Sequence, residues 1–124
     1  MQQVCDQLHI TTDDGSMGTA GFPTAILPDL LVEATDLLAH SSNSNESGTT
    51  RLYTCGPEPM MKAVLKMAVE AGVESYAAME RYLPCSMAVC GLCMVGDKLT
   101  CVEGPVMEGA WLLAQDDFGA AHAH

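Results

Sequence analysis

The sequence predicts an α/β protein in which a partial parallel-sheet half-domain precedes a small cysteine-rich domain with a β-hairpin. Segments with strand character alternate with segments of helical periodicity through residues 1–79, which favours a parallel sheet flanked by helices. Four of the six cysteines lie within residues 85–101. A glycine–aspartate pair between two short apolar segments of that region is typical of a tight hairpin turn.

The half-domain is predicted to follow the order strand, helix, strand, helix, strand. Alternating apolar residues indicate each strand, and apolar residues spaced three or four apart indicate each helix. The predicted strands are 4–12, 51–55 and 75–79, and the predicted helices are 26–38 and 58–71. The second helix is expected to bury one apolar face, made of Met61, Val64, Leu65 and Ala68.

This half-domain is too small to form a complete doubly wound sheet. The glycines at 15, 18 and 21 do not match the G-x-G-x-x-G spacing of a dinucleotide-binding turn. The preceding pair Asp13-Asp14 would repel a pyrophosphate, so a surface loop is the favoured interpretation. We therefore expect the sheet to be completed by a partner chain, or the chain to be the C-terminal piece of a longer protein.

Composition narrows the function classes. The chain has 124 residues and a net charge of −11, which excludes the basic surface that nucleic-acid binding requires. A hydrophobic content of 48% excludes disorder, and no apolar run is long enough to span a membrane. The absence of a secretory leader predicts a cytoplasmic location, where thiols stay reduced. A polar linker is predicted at 41–48.

The clustered cysteines carry the strongest chemical signal. They follow the pattern C-x4-C-x2-C-x7-C, and the first three match the spacing of plant-type [2Fe–2S] proteins. The hairpin turn at Gly96-Asp97 should return the fourth cysteine beside the third. The predicted cluster ligands are Cys85, Cys90, Cys93 and Cys101.

Three further roles are compatible with clustered cysteines. A structural zinc site is the strongest of them, although such sites usually contain two C-x-x-C pairs and this chain has one. A disulfide is disfavoured in a reducing compartment. Buried, unreactive cysteines are common singly, but four together within seventeen residues are improbable on that basis.

The cysteine segment resembles one known family. The segment ERYLPCSMAVCGLC at 80–93, followed by TCVEGPV at 100–106, resembles the electron-transfer subunit of NAD-dependent dihydroorotate dehydrogenase. Two upstream segments, TDDGS at 12–16 and TCGPEPMM at 54–61, occur in the same order as in that family. The Cys-Gly-Pro turn is also shared with the wider ferredoxin-NADP reductase superfamily.

The resemblance implies a domain organisation. Family members have a FAD-binding β-barrel, then an NAD-binding α/β domain, then a [2Fe–2S] domain. This chain resembles only the C-terminal half of that arrangement. Residues 1–79 would be the C-terminal half of the ferredoxin-reductase-like NAD-binding domain, 80–119 the [2Fe–2S] domain and 120–124 a tail.

The resemblance also implies cofactors and partners. Cys55, Gly56 and Pro57 would lie near the nicotinamide and the flavin, although the FAD and NAD sites are incomplete here. The cluster would link an FMN catalytic subunit to FAD and NAD in pyrimidine biosynthesis, within a heterotetramer. The flavin barrel would belong either to a longer form of this chain or to a separate chain. No residue is expected to act as a catalytic acid, base or nucleophile.

The chain differs from the family at one place in the cysteine motif, and two other assignments remain as alternatives. Family members tend to have glycine between the first two cluster cysteines, where this chain has Ser86 and Ala88. Related reductase subunits also serve hydrogenases, sulfide dehydrogenases and transhydrogenases, and they form an alternative. A non-catalytic, zinc-stabilised interaction module is the second alternative.

Overall fold

The computed structural model describes residues 4–40 and 49–120, without the side chains of 37–40. The predicted linker at 41–48 and residues 121–124 of the predicted tail lie outside the described residues. Across the described parts the fold is mixed α/β, with one central sheet and two small two-stranded sheets.

The central sheet has three strands and is mixed. Strands β3 (Arg51–Cys55) and β4 (Glu74–Ala78) are parallel, as predicted, and pair from Arg51 opposite Glu74 to Cys55 opposite Ala78. The third strand, β7 (Val106–Glu108), pairs antiparallel with β4. The cysteine-rich part of the chain therefore contributes a strand to the sheet of the half-domain.

The predicted strand over 4–12 is wrong. Only β1 (Thr11–Thr12) is a strand, and it pairs with β2 (Thr19–Ala20) in a separate two-stranded sheet. The alternating side chains before it have no buried face, since Val4 is 87% exposed. The chain closes a local loop instead, in which the N–H of Gly21 donates to the carbonyl of Thr12 at 2.9 Å.

The two predicted helices are present. Helix α1 spans Leu27–His40, and α2 spans Glu58–Glu70 directly after Pro57. Helix α2 packs on the sheet, while α1 packs on α2. Helix α2 buries the four apolar residues predicted for its inner face. No helix of residues 4–40 and 49–120 is long and apolar enough to cross a membrane.

Helix α2 ends in a motif that needs glycine. Gly72 has a φ of 70°, and its N–H donates to the carbonyl of Val69 at 3.0 Å. The N–H of Val73 reaches the carbonyl of Ala68 at 2.9 Å, which completes a Schellman motif. This turn fixes the point at which the chain enters β4.

The predicted hairpin is confirmed and is followed by two short helices. Strands β5 (Met94–Val95) and β6 (Lys98–Leu99) are antiparallel and joined by Gly96-Asp97. Helix α3 (Thr100–Glu103) follows directly, and α4 (Gly109–Leu113) follows β7.

One apolar core joins both parts of the chain. It combines side chains of α2 and β4 with side chains of the hairpin, β7, α4 and the residues after α4. Its buried members are Met61, Leu65, Ala77, Met79, Val95, Met107, Leu112 and Phe118. A smaller core between α1 and α2 contains Leu31, Ala68 and Val73. The domain boundary between 79 and 80 stays a prediction, and this shared core gives it a direct test.

Replacing Leu112 with Ala should destabilise both parts of the chain together. Leu112 is fully buried in the shared core, so its truncation should cost about 2–5 kcal/mol of unfolding free energy. Urea unfolding followed by Trp111 fluorescence and by hydrogen exchange in α2 should give one coincident transition, shifted equally for both probes. The control Val32→Ala, at a 59% exposed side chain, should shift it little. Two separate transitions, with α2 unaffected, would show independent domains.

Candidate metal centre

The hairpin brings two of the predicted ligands together. Cys93 directly precedes β5, and Cys101 is the second residue of α3. The N–H of Thr100 donates to the carbonyl of Cys93 at 3.1 Å, which closes the chain beyond the strand pair. The Sγ atoms of Cys93 and Cys101 consequently lie 3.4 Å apart. The expected return of Cys101 beside Cys93 is thus observed.

The loop between Cys85 and Cys90 has an uncommon backbone. Ser86 has a φ of 52° and Ala88 a φ of 61°, so both are in the left-handed region. This conformation costs a residue other than glycine about 1–2 kcal/mol. Alternating left-handed residues turn successive backbone N–H groups into one concavity, a geometry found in many anion and iron–sulfur sites.

Neighbouring backbone N–H groups lower the pKa of the Cys85 thiol. The backbone N–H groups of Met87 and Cys90 lower the pKa of the Cys85 thiol to about 6, with smaller contributions from the Cys90 thiol and the N–H of Val89. Hydrogen bonds to the charged form favour that form. The lowered pKa favours the thiolate form of Cys85, which is the form that binds metal.

Cys101 links the second pair of thiols to the same loop. Its hydrogen bond with the Cys93 thiol raises the pKa of Cys101, and burial and the charges of Cys93 and Cys85 raise it further. The backbone N–H of Ala88 acts in the opposite direction. Cys101 thus interacts with its own pair and with the loop that carries Cys85.

Four cysteine thiols are a donor set that fits a [2Fe–2S] cluster and also a zinc ion. The structure brings Cys93 and Cys101 together, and the Cys90 thiol contributes to the lowered pKa of Cys85. In residues 4–40 and 49–120, no group of three or more His, Cys, Asp or Glu side chains is arranged to hold a metal ion. The buried hydroxyl of Thr100, beside Cys101, has no hydrogen-bond partner among the described residues.

The second predicted site lies at the carboxyl edge of the sheet. Cys55 ends β3 opposite Ala78, is exposed, and is followed by Gly56 with a φ of 144°. A side chain at Gly56 would meet only the flexible end of Met60, so the left-handed φ is what favours glycine there. The role of Cys55, Gly56 and Pro57 in cofactor binding stays a prediction.

Sequence reasoning missed one buried charged residue near both sites. Arg81 lies four residues before Cys85, and its side chain is 9% exposed. It forms an ion pair with Glu58, the first residue of α2. One sequence signal could have identified Arg81. It lies just before the cysteine motif in a chain with only five basic residues.

The structure is similar to a known class of redox protein. It matches part of a solved NADH-dependent reduced ferredoxin-NADP oxidoreductase, described in a study of flavin-based electron bifurcation, with a TM-score of 0.54 and 28% identity. The match covers 85% of this chain and 34% of that protein. The fold is therefore ferredoxin-reductase-like.

Curated relatives give the more particular assignment. The chain is 41% identical over 113 residues to the probable electron transfer subunit of dihydroorotate dehydrogenase B (NAD(+)) from Thermococcus kodakarensis. It is 37% identical over 108 residues to the subunit of that name from Clostridium perfringens. The two alignments cover 91% and 84% of this chain. The resemblance seen in the sequence is thereby confirmed: the chain is a homologue of these electron transfer subunits.

The alignments cover only part of the length of each relative. The chain spans 41% of the Thermococcus kodakarensis protein and 37% of the Clostridium perfringens protein. No protein-family model matches the chain.

The pKa difference between Cys85 and Cys101 predicts different alkylation profiles in the metal-free, reduced protein. The lowered pKa of Cys85 makes its iodoacetamide reaction rise through about pH 6 and level off above it. The raised pKa of Cys101 delays its reaction to alkaline pH. Peptide mass spectrometry measures both rates.

The control is the same protein unfolded in urea. There the Cys85 reaction should rise through about pH 8.5, the ordinary range of a cysteine. A Cys85 profile that is identical in the folded and unfolded protein would contradict the amide contacts described for this loop.

Proposed function

We propose that the chain is an electron-transfer protein that binds a [2Fe–2S] cluster through Cys85, Cys90, Cys93 and Cys101. The observation that carries the proposal is the pairing of Cys93 with Cys101, whose Sγ atoms lie 3.4 Å apart within the C-x4-C-x2-C-x7-C pattern. When bound, such a cluster supplies one-electron transfer. The homology favours a role in the electron transfer subunit of a dihydroorotate dehydrogenase, linking an FMN catalytic subunit to FAD and NAD in pyrimidine biosynthesis.

The residues of the loop would do two things for the cluster. Cys85 and Cys90 would hold one iron, and Cys93 and Cys101 the other. The N–H groups of the loop would donate to sulfur and so offset part of the negative charge of the thiolates, which is one way a protein sets a cluster potential. The left-handed backbone at Ser86 and Ala88 positions these N–H groups before binding.

Exposed apolar side chains around the cysteines support a protein partner. They belong to the loop and to the start of the hairpin, and together we call them the apolar rim. The rim comprises Tyr82, Leu83, Met87, Val89, Leu92 and Met94. Val89 is 78% exposed and Met87 70%, both within the loop that holds Cys85 and Cys90. Grouped exposed apolar residues mark interaction sites, and we propose the FMN catalytic subunit as the partner, in a heterotetramer.

Binding of the flavin and of the nicotinamide would require polypeptide beyond this chain. Because the chain spans about two fifths of its relatives, FAD would bind largely to a barrel supplied elsewhere. The turn of Cys55, Gly56 and Pro57, at the carboxyl edge of the sheet, is where ligands of such sheets bind. A cytoplasmic location would keep all six cysteines reduced.

The structural match favours a second candidate of the same class. The matched protein is an NADH-dependent reduced ferredoxin-NADP oxidoreductase, so a subunit of such a transhydrogenase fits the same fold and cysteines. The partner that co-purifies with the chain separates the two. A dihydroorotate dehydrogenase catalytic subunit supports the first candidate, and a different flavoprotein subunit supports the second.

Loss of one loop cysteine should abolish cluster assembly. Anaerobic reconstitution of the wild-type chain should give about two irons and two acid-labile sulfides per chain and a visible absorption spectrum. Cys90→Ser removes one of four ligands and should lose most of the iron, the sulfide and the absorption. The matched control is Cys55→Ser, which removes an exposed cysteine outside the loop and should retain all three.

Two outcomes would count against this assignment. A Cys90→Ser protein with the full spectrum would exclude Cys90 as a ligand. Zinc bound to the wild-type chain, with neither iron nor sulfide, would favour the structural zinc module.

A further inference from the structure

Arg81 joins the two predicted sites through one buried side chain. It lies on the segment that leads from β4 to Cys85. Burying a charge requires partners, and in a chain of net charge −11 an arginine has a large choice of surface carboxylates. The partners that Arg81 does take come from three separate parts of the fold.

The first partner is Glu58, at the start of α2. Arg81 Nη2 donates to Glu58 Oε2 at 3.1 Å, and Arg81 Nε forms an ion pair with Glu58 Oε1 at 2.6 Å. The two side chains are 9% and 12% exposed. Glu58 directly follows Pro57, so this contact holds the end of the Cys55-Gly56-Pro57 turn.

The other partners lie at the start of the hairpin and in the segment after α4. Arg81 Nη1 reaches the carbonyl of Met94, the residue after Cys93, at 3.5 Å. Arg81 Nη2 also donates to the carbonyl of Asp117 at 3.3 Å. The carboxylate of Asp117 in turn accepts the N–H of Gly96 in the hairpin turn at 3.1 Å.

Glu58 adds a contact of its own to the hydrogen bonds made by Arg81. Its Oε2 atom accepts the N–H of Gly119 at 3.0 Å, so the segment after α4 is tied to the start of α2. The backbone of α2, the hairpin and this last segment are thus connected through one guanidinium group and two carboxylates. A guanidinium can do this because its five N–H donors lie in one rigid plane.

We propose that Arg81 is a positioning residue that fixes the separation between the Cys55-Gly56-Pro57 turn and the Cys93–Cys101 pair. It contacts the residue after Pro57 and the residue after Cys93, so one side chain sets both positions. The inference rests on the proposed function, in which electrons pass between the cluster and a group bound at the turn. Its structural part, the fixed separation, can be tested without a cluster.

The first test measures the separation in the cluster-loaded chain. A nitroxide label is attached to Cys55 in a Cys5→Ser variant. Pulsed electron paramagnetic resonance then gives the distribution of distances between the nitroxide and the paramagnetic reduced cluster. We expect one narrow distribution with Arg81, a broadened or displaced one in Arg81→Met, and an intermediate one in Arg81→Lys. Lysine keeps the charge without the planar donors.

The matched control is Arg51→Met. Arg51 also pairs with a glutamate, Glu74, at 2.8 Å, but the two side chains are 53% and 45% exposed. Its loss should leave the distribution unchanged, because exposed ion pairs contribute little to structure. If the distance distribution of Arg81→Met has the same width and the same mean as that of Arg51→Met, the proposal is overturned.

The second test uses the metal-free chain and so stands apart from cluster binding. Residual dipolar couplings of the hairpin amides should fit the structure in the wild-type chain and deviate from it in Arg81→Met, because the hairpin shifts relative to α2. The Gly96 and Gly119 amides should exchange about tenfold faster in that variant. Hairpin couplings of Arg81→Met that fit the wild-type structure equally well would overturn the inference, while a wild-type chain without a cluster would count only against the proposed function.

Discussion

The candidate site depends on a local offset of the negative charge of cysteine sulfur. Thiolates are negative, and this chain already has a net charge of −11, so their charge must be offset locally. The loop between Cys85 and Cys90 does this with the N–H groups of its own peptide bonds. That arrangement requires the left-handed backbone at Ser86 and Ala88, whose conformational cost the rest of the structure must support.

The surrounding fold supplies that support in two ways. The hairpin and the bond from Thr100 to Cys93 bring the second cysteine pair to the loop. Strand β7 and helix α4 then tie the cysteine-rich part into the sheet and core of the half-domain. The buried pair of Arg81 and Glu58 adds a polar connection between the same two parts. The geometry of the cysteines is therefore a property of the whole fold.

The sequence predicted the features that local signals determine. Strand 51–55, the buried face of α2 and the Gly96-Asp97 hairpin all follow from short-range periodicity and turn chemistry. The strand over 4–12 was wrong because alternation does not reveal whether a face is buried. The pairing of β7 with β4 and of Arg81 with Glu58 joins distant positions, 23 residues apart in the second case, for which the sequence has no local signal.

The central claim is that these thiols hold a two-iron cluster, and metal-edge X-ray absorption on chain purified anaerobically from cells tests it most directly. The account predicts iron with sulfur neighbours and a second iron nearby, as four cysteines and two bridging sulfides require. Zinc surrounded by four sulfur atoms at about 2.3 Å, with no second metal, would contradict it. In that case the loop would be a structural zinc site on a ferredoxin-reductase-like fold.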